Sequence, residues 1–167
     1  LLPGHWEGDF IKGTSNHSAV GTLVDRRTLF VMLAKMNGCS AQAALEGFAT
    51  AFGPLDPALR KTLTYDQGKE MALHKLLAER TGLRIYFADP HSPWQRGINE
   101  NTNGLLRQYL PKNEDLSRYS QRELDHVAWR LNTRPRKTLG FRTPAEVFFD
   151  HCITKRIELE PIVALGV

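Results

Sequence analysis

The sequence predicts an α/β fold: a mixed sheet that opens with three antiparallel strands and is flanked by helices. Three observations carry that expectation. A period-two run is followed by two β-favouring runs, strands and helices alternate after Gly53-Pro54, and two capping boxes mark helix starts in the last third of the chain. At 167 residues the chain suits one domain with its own hydrophobic core.

The first strand runs from Trp6 to Ile11, with Trp6, Gly8 and Phe10 on one side and Glu7, Asp9 and Ile11 on the other. A second strand, Ala19 to Val24, reaches Asp25-Arg26-Arg27, and a third runs from Thr28 to Met36. The turn-rich tripeptide between them predicts antiparallel pairing. Ser40 is placed to cap a helix whose apolar positions Ala41, Ala44, Leu45, Phe48, Ala49 and Phe52 recur at helical spacing until Gly53-Pro54. Then follow a strand from Lys61 to Tyr65, a helix from Lys69 to Arg80 that ends at Thr81-Gly82, and a strand from Leu83 to Ala88. That alternation implies parallel pairing for the later strands. The loop from Asp89 to Gly97 leads into a helix from Asn99 to Leu110, and Ser120 with Glu123 and Thr143 with Glu146 start two more helices.

A net charge of +4 and a pI near 9.2 favour a polyanionic partner, although an excess this small decides little. Cys39 and Cys152 have no His or Cys partners at zinc-ligand spacing, which excludes a disulfide framework or structural zinc and predicts reduced thiols. No stretch reaches the length of a membrane span and no leader pattern opens the chain, so a soluble, cytoplasmic protein without a membrane partner is expected. The start at Leu1-Leu2-Pro3, without Met, suggests a piece of a longer protein.

Asp9, Asp66 and Glu100 fall in three different elements and read together as a carboxylate triad for magnesium or manganese. Such ions prefer oxygen ligands, and phosphate-processing sites leave positions open for water and substrate. Taken singly, each has an ordinary explanation: a solvated strand face, a turn former, a helix solvent face. Against the last stand Asn99, Asn101, Asn103 and Gly104. These are poor helix formers, so something other than helix stability sets them. Counting at about 3.6 residues per turn puts Glu100, Asn103, Gly104 and Arg107 on one face, where Asn103 and Arg107 are expected to meet DNA.

His91, Trp94 and Arg96 lie at the start of that helix, where free N–H groups favour phosphate. Trp94 could stack on a base or anchor the loop. Asp89 reads as a turn residue first and a spare metal ligand second. Arg130, Arg134, Arg136, Lys137 and Arg142 surround Pro135, either as a solvated basic surface or as a track for a nucleic-acid backbone.

Five blocks in order resemble the catalytic domain of bacterial DDE transposases of the insertion sequence thirty family. They are Trp6-Glu7-Gly8-Asp9, Tyr65-Asp66-Gln67-Gly68-Lys69-Glu70, Asp89-Pro90-His91-Ser92-Pro93-Trp94-Gln95-Arg96-Gly97, Asn99-Glu100-Asn101-Thr102-Asn103-Gly104-Leu105-Leu106-Arg107 and Asn132-Thr133-Arg134-Pro135-Arg136-Lys137-Thr138-Leu139-Gly140. Arg107, seven positions after Glu100, is also similar to the basic residue of retroviral integrases. The resemblance implies a ribonuclease-H-like fold with a mixed five-stranded sheet, and it assigns Asp9, Asp66 and Glu100 as catalytic metal ligands for two ions. It further implies that residues 1–167 are a transposase catalytic core without the helix-turn-helix region that finds terminal repeats.

The implied activity is metal-dependent DNA cleavage that exposes a 3′-OH, followed by its attack on target DNA. A dimer or higher assembly on DNA, in a bacterial cytoplasm and at the nucleoid, is implied with it. Three rivals accompany this expectation: a nuclease of the same fold without strand transfer, a catalytically silent DNA-binding or assembly module, and a metal-free globular domain.

Overall fold

The computed structural model describes residues 2–92, 95, 97–155 and 157. The elements are β1 (His5–Lys12), β2 (Ala19–Asp25), β3 (Val31–Lys35), α1 (Ala41–Phe52), β4 (Thr62–Tyr65), α2 (His74–Thr81), β5 (Arg84–Phe87), α3 (Gly97–Leu106), α4 (Gln121–Asn132) and α5 (Pro144–Lys155). They form one five-stranded sheet in the order β3-β2-β1-β4-β5. β1 pairs antiparallel with β2, and β2 antiparallel with β3, while β1 with β4 and β4 with β5 are parallel. The expected mixed sheet, with its three antiparallel strands first, is therefore the architecture observed.

Both faces of the sheet are covered, so every residue of the interior strand β2 is buried. On one face Trp6, Phe10, Leu23 and Met32 pack with Phe48 and Phe52 of α1, Leu77 of α2 and Phe148 of α5. Phe30 stacks on Phe148 at 4.3 Å between ring centroids, and Trp6 meets Phe52 edge-on. On the other face Ile11, Val20, Val24, Val31 and Leu33 pack with Leu106, Leu110 and Leu116 and with Leu124, Ala128 and Leu131 of α4. Period-two alternation in β1 divides the strand between these two cores, as the sequence pattern requires.

The capping residues act as their spacing predicts. The Ser40 hydroxyl accepts from Ala43 N, Ser120 and Glu123 cap each other's backbone, and Thr143 with Glu146 does the same for α5. Gly82 closes α2 at φ +74°, a left-handed conformation that costs glycine little. Three elements differ from expectation by more than one residue at an end. β3 begins at Val31 rather than Thr28, because the buried Asp25 carboxylate accepts from Arg27 N, Thr28 N and Thr28 Oγ1 and binds those residues into a turn. The helix expected over Lys69 to Arg80 is split into a 3₁₀ turn, Lys69–Met71, and α2, because Leu73 leaves helical geometry at ψ 24°. α3 begins at Gly97, ahead of Asn99, and gives way to looser turns after Leu106.

Among the described residues no helix is long and apolar enough to cross a membrane, and Cys39 and Cys152 are both free thiols.

Candidate active site

Strand register brings the first two acids together. Glu7 on β1 pairs with Thr64 on β4. Two residues further in the same direction, Asp9 is still within β1 while Asp66 directly follows the last residue of β4, so this register continued leads to the two acids on one face of the sheet. The Tyr65 phenol is held protonated, well above the ordinary tyrosine range, chiefly by burial and then by the negative charges of Glu70, Asp9 and Asp66. Gly8 makes room for it, since a Cβ there would stand 2.9 Å from Leu63 Cδ1 and from Tyr65 Cδ2.

Each carboxylate is oriented by local bonds. Asp9 Oδ1 accepts from Phe10 N at 2.8 Å, and Asp9 Oδ2 accepts from Asn103 Nδ2 at 3.0 Å. Asp66 Oδ1 accepts from Gly68 N at 3.2 Å, an Asx turn that aims the side chain off the end of β4. Glu100 is exposed on α3 and joins Asp66, Gln67, Asp89, His91 and Ser92 in lining a cleft of about 590 Å³. Asp89 is locked by Gln95, whose Oε1 accepts from Asp89 N and whose Nε2 donates to Asp89 Oδ2.

Asp9, Asp66 and Glu100 thus come from adjacent elements at one end of the sheet. The donor set is all carboxylate oxygen, which fits a hard divalent cation. Among the described residues, however, no three His, Cys, Asp or Glu side chains stand close enough to form a ready-made cation cage.

Helix α3 is fastened to β1 by three rungs spaced four residues apart. Asn99 N donates to Glu7 Oε2 at 2.9 Å and Asn99 Nδ2 to Glu7 O at 3.0 Å, Asn103 holds Asp9, and Arg107 Nη2 donates to Lys12 O at 3.1 Å. Arg107 Nη1 also donates to Leu110 O at 3.2 Å, and burial lowers the guanidinium pKa. Asn103 and Arg107 each bond to β1 while remaining partly exposed. Of the helix-poor asparagines, Asn99 and Asn103 make this docking, while Asn101 is exposed. Period-two alternation pointed to Glu7, a charged residue in a strand interior on the Asp9 side, but nothing in the sequence named Asn99 as its partner.

His91 is exposed at the cleft. Trp94 and Arg96 lie outside the described residues. Arg134 Nη2 donates to the Tyr109 hydroxyl at 3.0 Å, and Arg130 lies 5.7 Å over the same ring. Arg136 is half-buried, its pKa lowered by burial and by neighbouring Arg134, while Lys137 is exposed. Arg130 lies in the last turn of α4, and Arg134, Arg136 and Lys137 follow its C-terminus.

The fold and its carboxylate end define an integrase-type core. BIV integrase's catalytic core domain superposes with a TM-score of 0.68 at 17% identity, over 93% of this chain and 99% of that one, which establishes a shared ribonuclease-H-like fold. Residues 2–93 match the integrase core domain model, and the chain belongs to that family. Among transposases it is similar to those of insertion sequence elements. It is 61% identical to the transposase for insertion sequence element IS1086 of Cupriavidus metallidurans, over 88% of this chain and 43% of that protein. It is 50% identical to the transposase InsI for insertion sequence element IS30A of Escherichia coli, over 86% of this chain and 37% of that protein. The chain thus spans well under half the length of these curated relatives.

Proposed function

We propose that this chain is the catalytic core of a DNA transposase, cleaving DNA strands at element ends and joining the exposed 3′-OH to target DNA. What supports this reading is the parallel pairing of β1 with β4, whose register, continued two residues past Glu7 and Thr64, leads to Asp9 and Asp66, together with Glu100 lining a cleft with Asp66. Integrase-core proteins generally use divalent metal ions, and the residues that would hold magnesium or manganese here are Asp9, Asp66 and Glu100. Bound there, such ions would supply Lewis-acid polarisation of the scissile phosphate and lower the pKa of the attacking oxygen's proton.

The chain's own residues do the rest. Asn103 and Phe10 N keep Asp9 in one rotamer, and the Gly68 N–H does the same for Asp66. Carboxylates gathered in one place repel one another, so a bound cation would draw these three together and stabilise the folded state. His91 borders the cleft as a phosphate contact, and Arg134, Arg136 and Lys137 form a cationic path for the DNA backbone. Two DNA ends must be held at once, so a dimer or higher assembly on DNA belongs to the same proposal.

Asp66→Asn tests it. Magnesium-dependent cleavage of a terminal-repeat duplex is expected to vanish while binding of that duplex persists, and full activity in the variant would refute the assignment. Supplying a pre-cleaved end and assaying for joined products separates a transposase from a nuclease that only hydrolyses.

A further inference from the structure

Glu7 is 1% exposed, and Asn99 and Thr22 are fully buried beside it. A carboxylate placed this deep survives only where its oxygens are engaged. Glu7 Oε2 accepts from Asn99 N in the first turn of α3, where N–H groups lack intrahelical partners and the helix dipole favours negative charge. Glu7 Oε1 lies 3.4 Å from Arg26 Nε. The Asn99 side chain then ties the turn to the sheet a second time, donating to Glu7 O, while its Oδ1 accepts from Thr22 Oγ1 at 3.3 Å. Thr22 is the cross-strand partner of Asp9, and its hydroxyl also lies 3.3 Å from Asp9 O. One buried network therefore spans the strand that carries Asp9 and the helix that carries Glu100, through residues 92 positions apart in the chain.

We infer that Glu7 is a positioning residue, one that sets the axial place and rotation of α3 so that Glu100 and Asn103 present to the end of β1. This rests on the carboxylate-triad reading above. The geometry requires a fixed helix. Glu100 directly follows Asn99, and on a helix with about 100° between successive residues a small rotation at Asn99 swings Glu100 away from the cleft. Asn103, one turn further on, would release Asp9 with it. Gly104 and the neighbouring asparagines give α3 little intrinsic stability, so the contacts with β1 must hold it. Glu7 touches no substrate in this arrangement; it acts through Asn99.

The test compares Glu7→Gln and Asn99→Ala with the unmodified protein, and with Asp66→Asn as a control for the triad itself. Glu7→Gln keeps the shape and one acceptor for Asn99 N but removes the charge. Hydrogen exchange resolved along the chain is expected to rise at least tenfold across residues 97–106 while β1 and β2 stay protected. In the same variant the manganese concentration for half-maximal cleavage rises, or kcat falls, by about 10–100-fold, with KM for the DNA end within twofold. Asn99→Ala, which keeps its backbone N–H, shows the same pattern at smaller size. Unchanged protection of α3, or loss of protection spread evenly over the sheet, would overturn the inference. An Asp66→Asn protein that still cleaves would instead overturn the triad reading beneath it.

Discussion

The Asn132 side chain pairs with the Val31 backbone as a neighbouring strand would: its Oδ1 accepts from Val31 N at 2.8 Å, and its Nδ2 donates to Val31 O at 2.9 Å. Gln121 repeats the device one end of α4 away, accepting from Lys35 N at 2.8 Å and donating to Leu33 O at 2.7 Å. Two amides of one helix thereby satisfy the outer edge of β3. Asn132→Ala strips partners from two backbone groups in a fully buried site, and a loss of about 2–5 kcal/mol is expected. The shift of the urea midpoint at constant m measures it, and a change below about 0.5 kcal/mol would count as an ordinary surface effect and remove this role.

Arg107 and Lys137 are both cations of the motif blocks, but they should answer differently. Arg107→Ala removes two bonds to main-chain carbonyls and is expected to lower stability by about 1–3 kcal/mol without changing the salt dependence of DNA binding. Lys137→Ala, at an exposed site, should leave the melting temperature alone and reduce the slope of log K against log salt by about 1. The reverse pattern would place Arg107 on the DNA surface.

Asp125 sets a pH dependence. Burial pushes its carboxyl up from 3.8 to about 6, against the Gln121 amide and the charge of His126, which act in the other direction. The folded state then binds a proton that the unfolded chain has released, so stability falls as pH rises from about 4 to about 6 and stays low above that. Asp125→Asn is expected to flatten melting temperature against pH across that window. An unchanged profile would show that another group titrates there.

Metal binding should be visible without DNA. A cation that binds only the folded protein raises its melting temperature, by an amount equivalent to about 2.7 kcal/mol at a hundredfold excess over Kd. Manganese is expected to produce that rise in the unmodified protein and little of it in Asp9→Asn. Equal shifts in both would place the ion elsewhere.

Local signals account for what the sequence disclosed. Ser40, Ser120 with Glu123 and Thr143 with Glu146 each cap through residues three positions away, and alternation in β1 assigned Asp9 to the face opposite Trp6 and Phe10. The Asp25 turn is just as local, but β-branched Thr28 disguised it as strand. What remained hidden is long-range. The bonds of Asn103 and Arg107 to β1 were not legible, because helical counting gives which residues share a face and not which way that face turns. Their partners are 94 and 95 residues away. The same distance concealed the link between Glu7 and Asn99.

The amides of α4 also determine how copies of this core could meet through their sheets. With β3 closed, β5 is the open margin among the described strands, and its Arg84 and Tyr86 are exposed. Through sheet edges two copies could join there once, back to back. Growth into a fibre needs two sticky sides, and the described strands offer one.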